Sequence, residues 1–241
     1  MACKNCNKEI NSKFCPDCGQ PANLKRIDRK YIIHEIEHVL HFERGILHTI
    51  RELTTNPGQN IRKYLLENRS RLVKPIIFII ITSLIYTISN HLFHIEDGFV
   101  VYHEANPENP SAVGNIVKWI KDHYGYANIM MGIFIALWLK LFFRKSNFNF
   151  YEILIMLCFV QGMAFLIFSI FVIIHGITHF NIMKIAGVIG IVYCVWAIGQ
   201  FYDKKKPASY IKGLFAYILG MITFWIFPTL IGTIIDLINK H

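Results

Sequence analysis

Five long apolar stretches constrain this chain more than any other feature of its sequence. A helix needs about 20 consecutive apolar residues, rising about 1.5 Å each, to cross the hydrocarbon core of a bilayer. The composition agrees, because 54% of the residues are hydrophobic and only 17% are charged. We therefore predict an all-α membrane protein with five transmembrane helices, at residues 75–93, 127–143, 153–177, 183–201 and 213–237.

Lysine and arginine are distributed unevenly between the segments that flank these stretches. One side of the membrane would carry 21 of them and the other only four, Lys118, Lys121, Lys184 and Lys240. Because such residues concentrate in cytoplasmic loops, we expect a multi-pass protein of the inner (cytoplasmic) membrane with a cytoplasmic N-terminus and an external C-terminus. The net charge of +9 then reflects topology, and we expect no nucleic-acid partner.

The segment before the first stretch contains the cysteine pattern of a metal site. It has no signal peptide, so we expect it to stay in the cytoplasm, where thiols are reduced. Two CxxC turns separated by eight residues can present four thiolates to one tetrahedral zinc. We predict a minimal zinc ribbon over residues 1–22 that holds a structural Zn2+. A rubredoxin-like iron site and cysteines without metal are the alternatives. The predicted ligands are Cys3, Cys6, Cys15 and Cys18.

Residues 23–74 are predicted to form cytoplasmic amphipathic helices, because apolar residues recur at helical spacing between positions 28 and 54. The first of these helices carries the HExxH pattern of zinc proteases at His34, Glu35 and His38. No third ligand follows at the spacing of those proteases, so a polar helix face is the simpler interpretation. A zinc metallohydrolase is kept as an alternative, and our expectation is that the protein is not an enzyme.

A basic helix is predicted to begin at Pro57, with Asn56 as its cap. Its apolar side would lie on the anionic inner leaflet while its charged side faces the headgroups. Anchoring is the simplest role, and specific recognition of a phosphate-bearing lipid or ligand is the alternative. The predicted lipid- or phosphate-binding residues are Arg62, Lys63, Arg69, Arg71 and Lys74.

The transmembrane domain, residues 75–241, carries no charged residue near the middle of a predicted span. This disfavours an ion-coupled transporter. Ala186 with Gly190, and Ala216 with Gly220, have the spacing of closely packed helices. Their partner could be another span or a second protomer, which leaves a homo-oligomer open. We expect neighbouring helices to satisfy the polar side chains within the spans, among them Gln161 and Gln200.

Two histidines, His175 and His179, lie one helical turn apart on the side predicted to face outward. Together with His91, His94 or Asp236 they make a candidate outer metal site. The alternative is that histidine simply occupies the interface where lysine and arginine are disfavoured. A short interfacial helix is also predicted on this side, over residues 113–123.

Over nearly its whole length the sequence resembles a bacterial family of uncharacterised zinc-ribbon membrane proteins, known only as a domain of unknown function. The resemblance implies a zinc ribbon joined to a membrane domain and supplies no catalytic residue. Beside the CxxC pair, it rests on Thr49, Ile50, Arg51, Glu52, Leu53, Asn56, Pro57, Gly58, Ile61, Arg62, Tyr64, Leu65, Arg69 and Pro75. Five spans behind an amphipathic segment are also similar in layout to the Yip family of membrane-trafficking proteins.

These features together predict a non-enzymatic membrane protein. The zinc ribbon and the amphipathic helices would form a cytoplasmic docking surface for a protein partner, and membrane lipids would surround the five-helix anchor. A transporter or channel, with metal ions among its candidate substrates, is the alternative from another class. The metallohydrolase based on His34, Glu35 and His38 comes third.

Reporter fusions test the predicted orientation. Alkaline phosphatase is active only outside the cytoplasm, and the basic run at residues 204–206 resists translocation. We therefore expect the enzyme to be active when fused after Asn239 and inactive when fused after Lys205. The reverse pattern would contradict the proposed topology.

Overall fold

The computed structural model of the chain describes residues 45–93, 111–180 and 182–239. Nearer the N-terminus it describes six residues, at positions 2, 6, 8, 9, 15 and 16. The chain divides into two compact units, residues 1–43 and 44–241. The described part of the second unit is entirely helical, as predicted. Its helices are α1 (Ile46–Thr55), α2 (Pro57–Leu66), α3 (Pro75–Leu92), α4 (Ala112–Asp122), α5 (Tyr124–Phe142), α6 (Phe150–Thr178), α7 (Met183–Asp203) and α8 (Pro207–Asn239).

Five of these helices, α3, α5, α6, α7 and α8, are long and apolar enough to cross a membrane. They correspond to the five predicted stretches, although their ends differ. The helix α6 begins three residues earlier than predicted because Asn149 and Glu152 form a capping box: Glu152 N–H donates to Asn149 Oδ1, and Asn149 N–H donates to Glu152 Oε2. Hydropathy marks the apolar part of a helix, whereas capping residues decide where it starts.

The outward faces of the long helices are apolar. On α3 a single stripe at intervals of four residues is between 49% and 67% exposed. A large continuous apolar surface of this kind is stable in lipid and not in water. It is consistent with a multi-pass membrane protein. The stripe consists of Ile76, Ile80, Leu84, Ile88 and Leu92.

The two faces of small residues predicted from the sequence are places where helices of the chain pack closely against each other. A Cβ at Gly190 would lie 2.6 Å from the ring of Phe168 on α6, and one at Gly220 would lie 2.7 Å from the Cα of Ile135 on α5. Ala216 is fully buried on the same helix as Gly220. Both faces predicted from the spacing therefore pack against other spans of the same chain.

The short helices α1 and α2 form a hairpin that packs on the long helices. Asn60 Nδ2 donates to the Glu52 carbonyl at 2.8 Å and joins the two arms. Tyr193 of α7 donates from its hydroxyl to the Leu53 carbonyl at 3.0 Å. Leu53 and Ile61 are both fully buried. The apolar side of α2 thus packs against α6 and α7, which differs from the prediction that it lies on the lipid surface.

The α2–α3, α5–α6 and α7–α8 connections lie at one end of this unit, which we call the basic end (residues 45–75, 142–150 and 200–207). Contacts between these segments define it. The ring of Phe143 stacks in parallel on Tyr202 at 3.6 Å, and the Arg62 guanidinium lies over the Phe148 ring at 5.6 Å. The short helix α4 belongs to the opposite end, where Ala112 N–H donates to Asp236 Oδ1 at 2.7 Å.

The hairpin approaches α7 most closely at Gly58. A Cβ there would lie 2.2 Å from the backbone nitrogen of Phe201 and 2.5 Å from the Gln200 carbonyl carbon. These neighbours are backbone atoms of a long helix, so they cannot turn aside as a side chain can. The second residue of α2 must therefore be glycine for the hairpin to pack here.

We expect Gly58→Ala to destabilise the protein. Alanine favours a helix over glycine by about 1 kcal/mol, but overpacking against a rigid backbone costs up to about 3 kcal/mol. The net loss should be about 2 kcal/mol, measured as the change in unfolding free energy in detergent. Gly125→Ala is the control, since its nearest neighbour is the Ser83 hydroxyl at 3.2 Å, which can rotate. Equal effects of the two substitutions would contradict this packing.

Candidate functional site

Two of the four predicted cysteine ligands, Cys6 and Cys15, are among the described residues, and their sulfur atoms lie 3.5 Å apart. An isolated antiparallel bridge joins Ala2 and Glu9, which lie on either side of Cys6 in the sequence. The other two ligands, Cys3 and Cys18, lie outside the described residues, as do His34, Glu35 and His38. The first unit thus brings one cysteine of each CxxC turn together.

The separation of the two sulfur atoms discriminates between kinds of cysteine pair. A disulfide bond is about 2.05 Å long, so Cys6 and Cys15 are not cross-linked to each other. Two thiolates that share one tetrahedral zinc, each about 2.3 Å from the metal, are about 3.8 Å apart. The observed 3.5 Å is close to that value, and it also fits a hydrogen bond between two thiols. Across the described residues, no three His, Cys, Asp or Glu side chains are grouped to hold a metal ion.

The predicted outer histidine pair lies where α6 ends. His175 Nδ1 is 2.5 Å from the Phe180 carbonyl oxygen. His179 adopts the left-handed conformation, with φ 57°, and its N–H donates to the His175 carbonyl. Asp236 accepts from Ala112 N–H on another pair of helices. The described contacts of His175, His179 and Asp236 are hydrogen bonds that involve backbone groups at helix ends.

The five predicted basic residues fall into separate environments. Arg71 forms a 2.7 Å ion pair with Glu52 across the hairpin, and its guanidinium also approaches Asn60 Oδ1 at 3.5 Å. The hydrogen bond from Arg71 lowers the pKa of Glu52 below its ordinary value of 4.5. Arg69 and Lys74 are exposed. Arg71 therefore braces the hairpin, and only Arg62 and Lys63 face the depression described next.

A depression at the basic end, which we call the basic recess, lies between α2, the α5–α6 connection and the end of α7. It consists of two adjoining cavities of about 560 and 350 Å³ that share Arg62, Leu66 and Tyr202. Basic residues from three segments surround it: Arg62 and Lys63 on α2, Lys145 on the α5–α6 connection, and Lys204 and Lys205 after α7. The acidic residues of its lining are Glu67, Glu152 and Asp203.

Aromatic rings form the wall between these cations. Phe143 stacks on Tyr202, and Phe148 packs edge-on to the same tyrosine at 6.2 Å. Arg62 covers Phe148 at 5.6 Å, while Lys212 lies 5.8 Å from the Phe143 ring centre. Cation–π attraction of about 0.5–1 kcal/mol at such exposed sites helps to hold each charge in place. The lining of the recess therefore combines the aromatic rings of Phe148 and Tyr202 with positive charge.

Three buried polar atoms around the recess have no hydrogen-bond partner: Ser146 Oγ, Gln200 Oε1 and Tyr202 OH. Within the described residues, the fourth such atom is Asn90 Oδ1, near the end of α3 away from the recess. Leaving a buried polar group unpaired costs about 1–3 kcal/mol. By contrast, Gln161 is satisfied as predicted, because its Nε2 donates to the Asn128 carbonyl at 3.0 Å. For Gln200 Oε1, in contrast, the described residues provide no hydrogen-bond partner of the kind predicted.

Sequence reasoning missed the recess residues outside α2. They lie on the α5–α6 connection and at the end of α7, far from Arg62 in the chain. The only available signal was that two basic runs, residues 144–145 and 204–206, were predicted to share a side of the membrane with the basic helix.

Comparison with known proteins matches one part of the chain to a family. A family model described as "Protein of unknown function (DUF3667)" matches residues 43–87. No curated protein matches the chain, and neither does any solved structure. The matched segment contains the α1–α2 hairpin and most of α3, including the Glu52–Arg71 ion pair.

The variant Glu52→Gln tests the ion pair that braces the hairpin. Because the pKa of Glu52 is lower in the folded protein than its ordinary 4.5, the pair stabilises the fold above that pH. This contribution is lost as the pH falls through the folded pKa. Both side chains are partly exposed, so we expect the variant to lose no more than about 1 kcal/mol at neutral pH.

Thermal unfolding of both proteins in detergent, from neutral to acid pH, provides the measurement. The difference between them should shrink towards acid. A difference that grows as the pH falls would contradict the assigned role of Glu52.

Proposed function

We propose that the protein is a non-enzymatic membrane docking protein. Its N-terminal unit would hold a structural zinc through Cys3, Cys6, Cys15 and Cys18 and would present a cytoplasmic surface to a protein partner. The helical unit would anchor this surface in the membrane. The observation that carries the proposal is the 3.5 Å separation of the Cys6 and Cys15 sulfur atoms.

The donor set supports a structural role for the metal. Four cysteine thiolates complete the tetrahedral coordination of zinc and leave no position for a substrate or a water molecule. Bound zinc would cross-link the two CxxC turns and supply most of the folding free energy of so small a unit. The bridge between Ala2 and Glu9 and the proximity of the Cys6 and Cys15 sulfur atoms are the contacts that support this arrangement.

Polar contacts inside the described spans support an anchor over an ion pathway. Thr82 donates to the Phe78 carbonyl at 2.9 Å and Ser169 donates to the Phe165 carbonyl at 2.7 Å, each within its own helix. Gln161 is bound to a neighbouring helix. Transport pathways usually offer ionisable groups or uncommitted polar groups at mid-membrane depth, whereas these buried groups are committed to backbone carbonyls.

Elemental analysis of the purified full-length protein tests the metal. We expect one zinc per chain in the unmodified protein and none in Cys15→Ser, because three thiolates and a hydroxyl bind zinc far more weakly. Cys158→Ser is the matched control, since Cys158 is a half-buried residue of α6, and it should keep its zinc. Zinc retained in Cys15→Ser, or a metal-free unmodified protein, would contradict the proposal.

Crosslinking in native membranes tests the docking role. A cytoplasmic protein crosslinked to the chain should be recovered from the unmodified protein and from Cys158→Ser, and lost from Cys15→Ser. An adduct whose yield is the same in all three proteins would remove the zinc unit from docking. No adduct in any of them would count against a protein partner.

A further inference from the structure

We propose that the basic recess binds a phosphate ester, and that its position favours the headgroup of an anionic lipid over a soluble phosphate. The recess belongs wholly to the helical unit, so the proposal is independent of the zinc site. It rests on three properties of the lining: an excess of positive charge, buried polar groups that lack partners, and the level of the recess along the spans.

The recess carries a net positive charge, because its lining holds five basic residues against three acidic ones. Two of its three carboxylates are engaged locally, because Asp203 accepts from Lys205 N–H at 3.0 Å and from Lys206 Nζ at 3.1 Å, and Glu152 completes the capping box of α6. Arg62 donates only one long hydrogen bond among its described contacts, at 3.4 Å to the Tyr202 carbonyl. Arginine binds phosphate through two parallel N–H groups, which leaves this guanidinium suited to a phosphate ligand.

The unpartnered atoms match the remaining chemistry of a phosphate ester. The hydroxyls of Ser146 and Tyr202 can each donate to a phosphate oxygen. Gln200 Oε1 is an acceptor, so it suits a hydroxyl group on the same ligand, such as that of a glycerol or sugar headgroup. All three atoms are buried, so a ligand reaches each of them only when its side chain turns toward the recess, and pairing it then removes the penalty of burying it unpaired.

The level of the recess favours a lipid as the source of the phosphate. Gln200 and Tyr202 lie in the last turn of α7, which is apolar enough to cross a membrane, and Lys204 and Lys205 follow directly. This transition from apolar helix to basic connection coincides with the headgroup region. Leu66 lines both cavities and is 59% exposed, so it offers an apolar edge beside the phosphate.

Lipid titration of the full-length protein in detergent tests the proposal. Native mass spectrometry would count bound molecules of phosphatidic acid, phosphatidylglycerol and phosphatidylcholine, and a parallel arm would add inorganic phosphate or glycerol phosphate alone. We expect the two anionic lipids to bind more tightly than phosphatidylcholine. Arg62→Gln should weaken their binding by about tenfold or more, because it removes a charge-assisted contact.

Arg69→Gln is the matched control for Arg62→Gln. Arg69 is an exposed arginine of the same basic segment and is not part of the recess lining. It should bind the anionic lipids as the unmodified protein does. An equal loss in both variants would mean that the lipids respond to general surface charge, and this would overturn the proposal.

Tyr202→Phe separates binding from folding. It retains the ring stacked on Phe143 and removes only the unpartnered hydroxyl, so without lipid its melting temperature should be unchanged or raised. The rise in melting temperature caused by phosphatidic acid should be smaller than in the unmodified protein. A variant that melts lower without lipid but responds fully to it would show that the hydroxyl is structural, and would overturn its assignment to the ligand.

The two arms of the titration identify the source of the phosphate. If inorganic phosphate or glycerol phosphate binds with the same dependence on Arg62 and Tyr202 while the lipids do not, the recess takes a soluble phosphate. If neither arm depends on these two residues, the recess is not a phosphate site.

Discussion

The contact between the α1–α2 hairpin and α7 determines the arrangement of the basic end. Gly58 lies so close to the backbone of Gln200 and Phe201 that no side chain fits between them, and Tyr193 binds the Leu53 carbonyl from the same helix. These contacts convert a segment that could have lain on the membrane surface into a fixed part of the bundle. The position of Arg62, and with it the recess, follows from this contact.

A fixed hairpin changes what its charged residues do. A helix that floats on a bilayer presents all of its basic residues to the leaflet, where each contributes about 1 kcal/mol to non-specific attraction. Here Arg71 is bound to Glu52, and Arg62 is held by the Phe148 ring and the Tyr202 carbonyl at the end of α7. The two arginines therefore serve different purposes. Arg71 holds the hairpin closed, and Arg62 lines a recess with three unpartnered polar atoms.

The sequence was sufficient to predict the elements of this fold, because length and hydropathy identify spans and a proline identifies the start of α2. The small-residue spacing around Gly190 and Gly220 also indicated packing faces, but their partners required the structure. The recess could not be predicted for a similar reason. Ser146, Gln200 and Tyr202 are ordinary residues from two separate parts of the chain. They differ from Gln161, whose side chain is hydrogen-bonded, only in that no neighbour provides a partner for their buried polar atoms.

The central claim is that the hairpin is an integral part of the helical bundle, and amide hydrogen exchange tests it most directly. The full-length protein would be reconstituted in lipid nanodiscs, and the exchange of residues 46–66 compared with that of α6. If the hairpin is packed as described, its amides are protected to a similar degree as those of α6, because exchange then requires the packed hairpin to open. Exchange of residues 46–66 as fast as in an unstructured peptide, while α6 stays protected, would contradict the account.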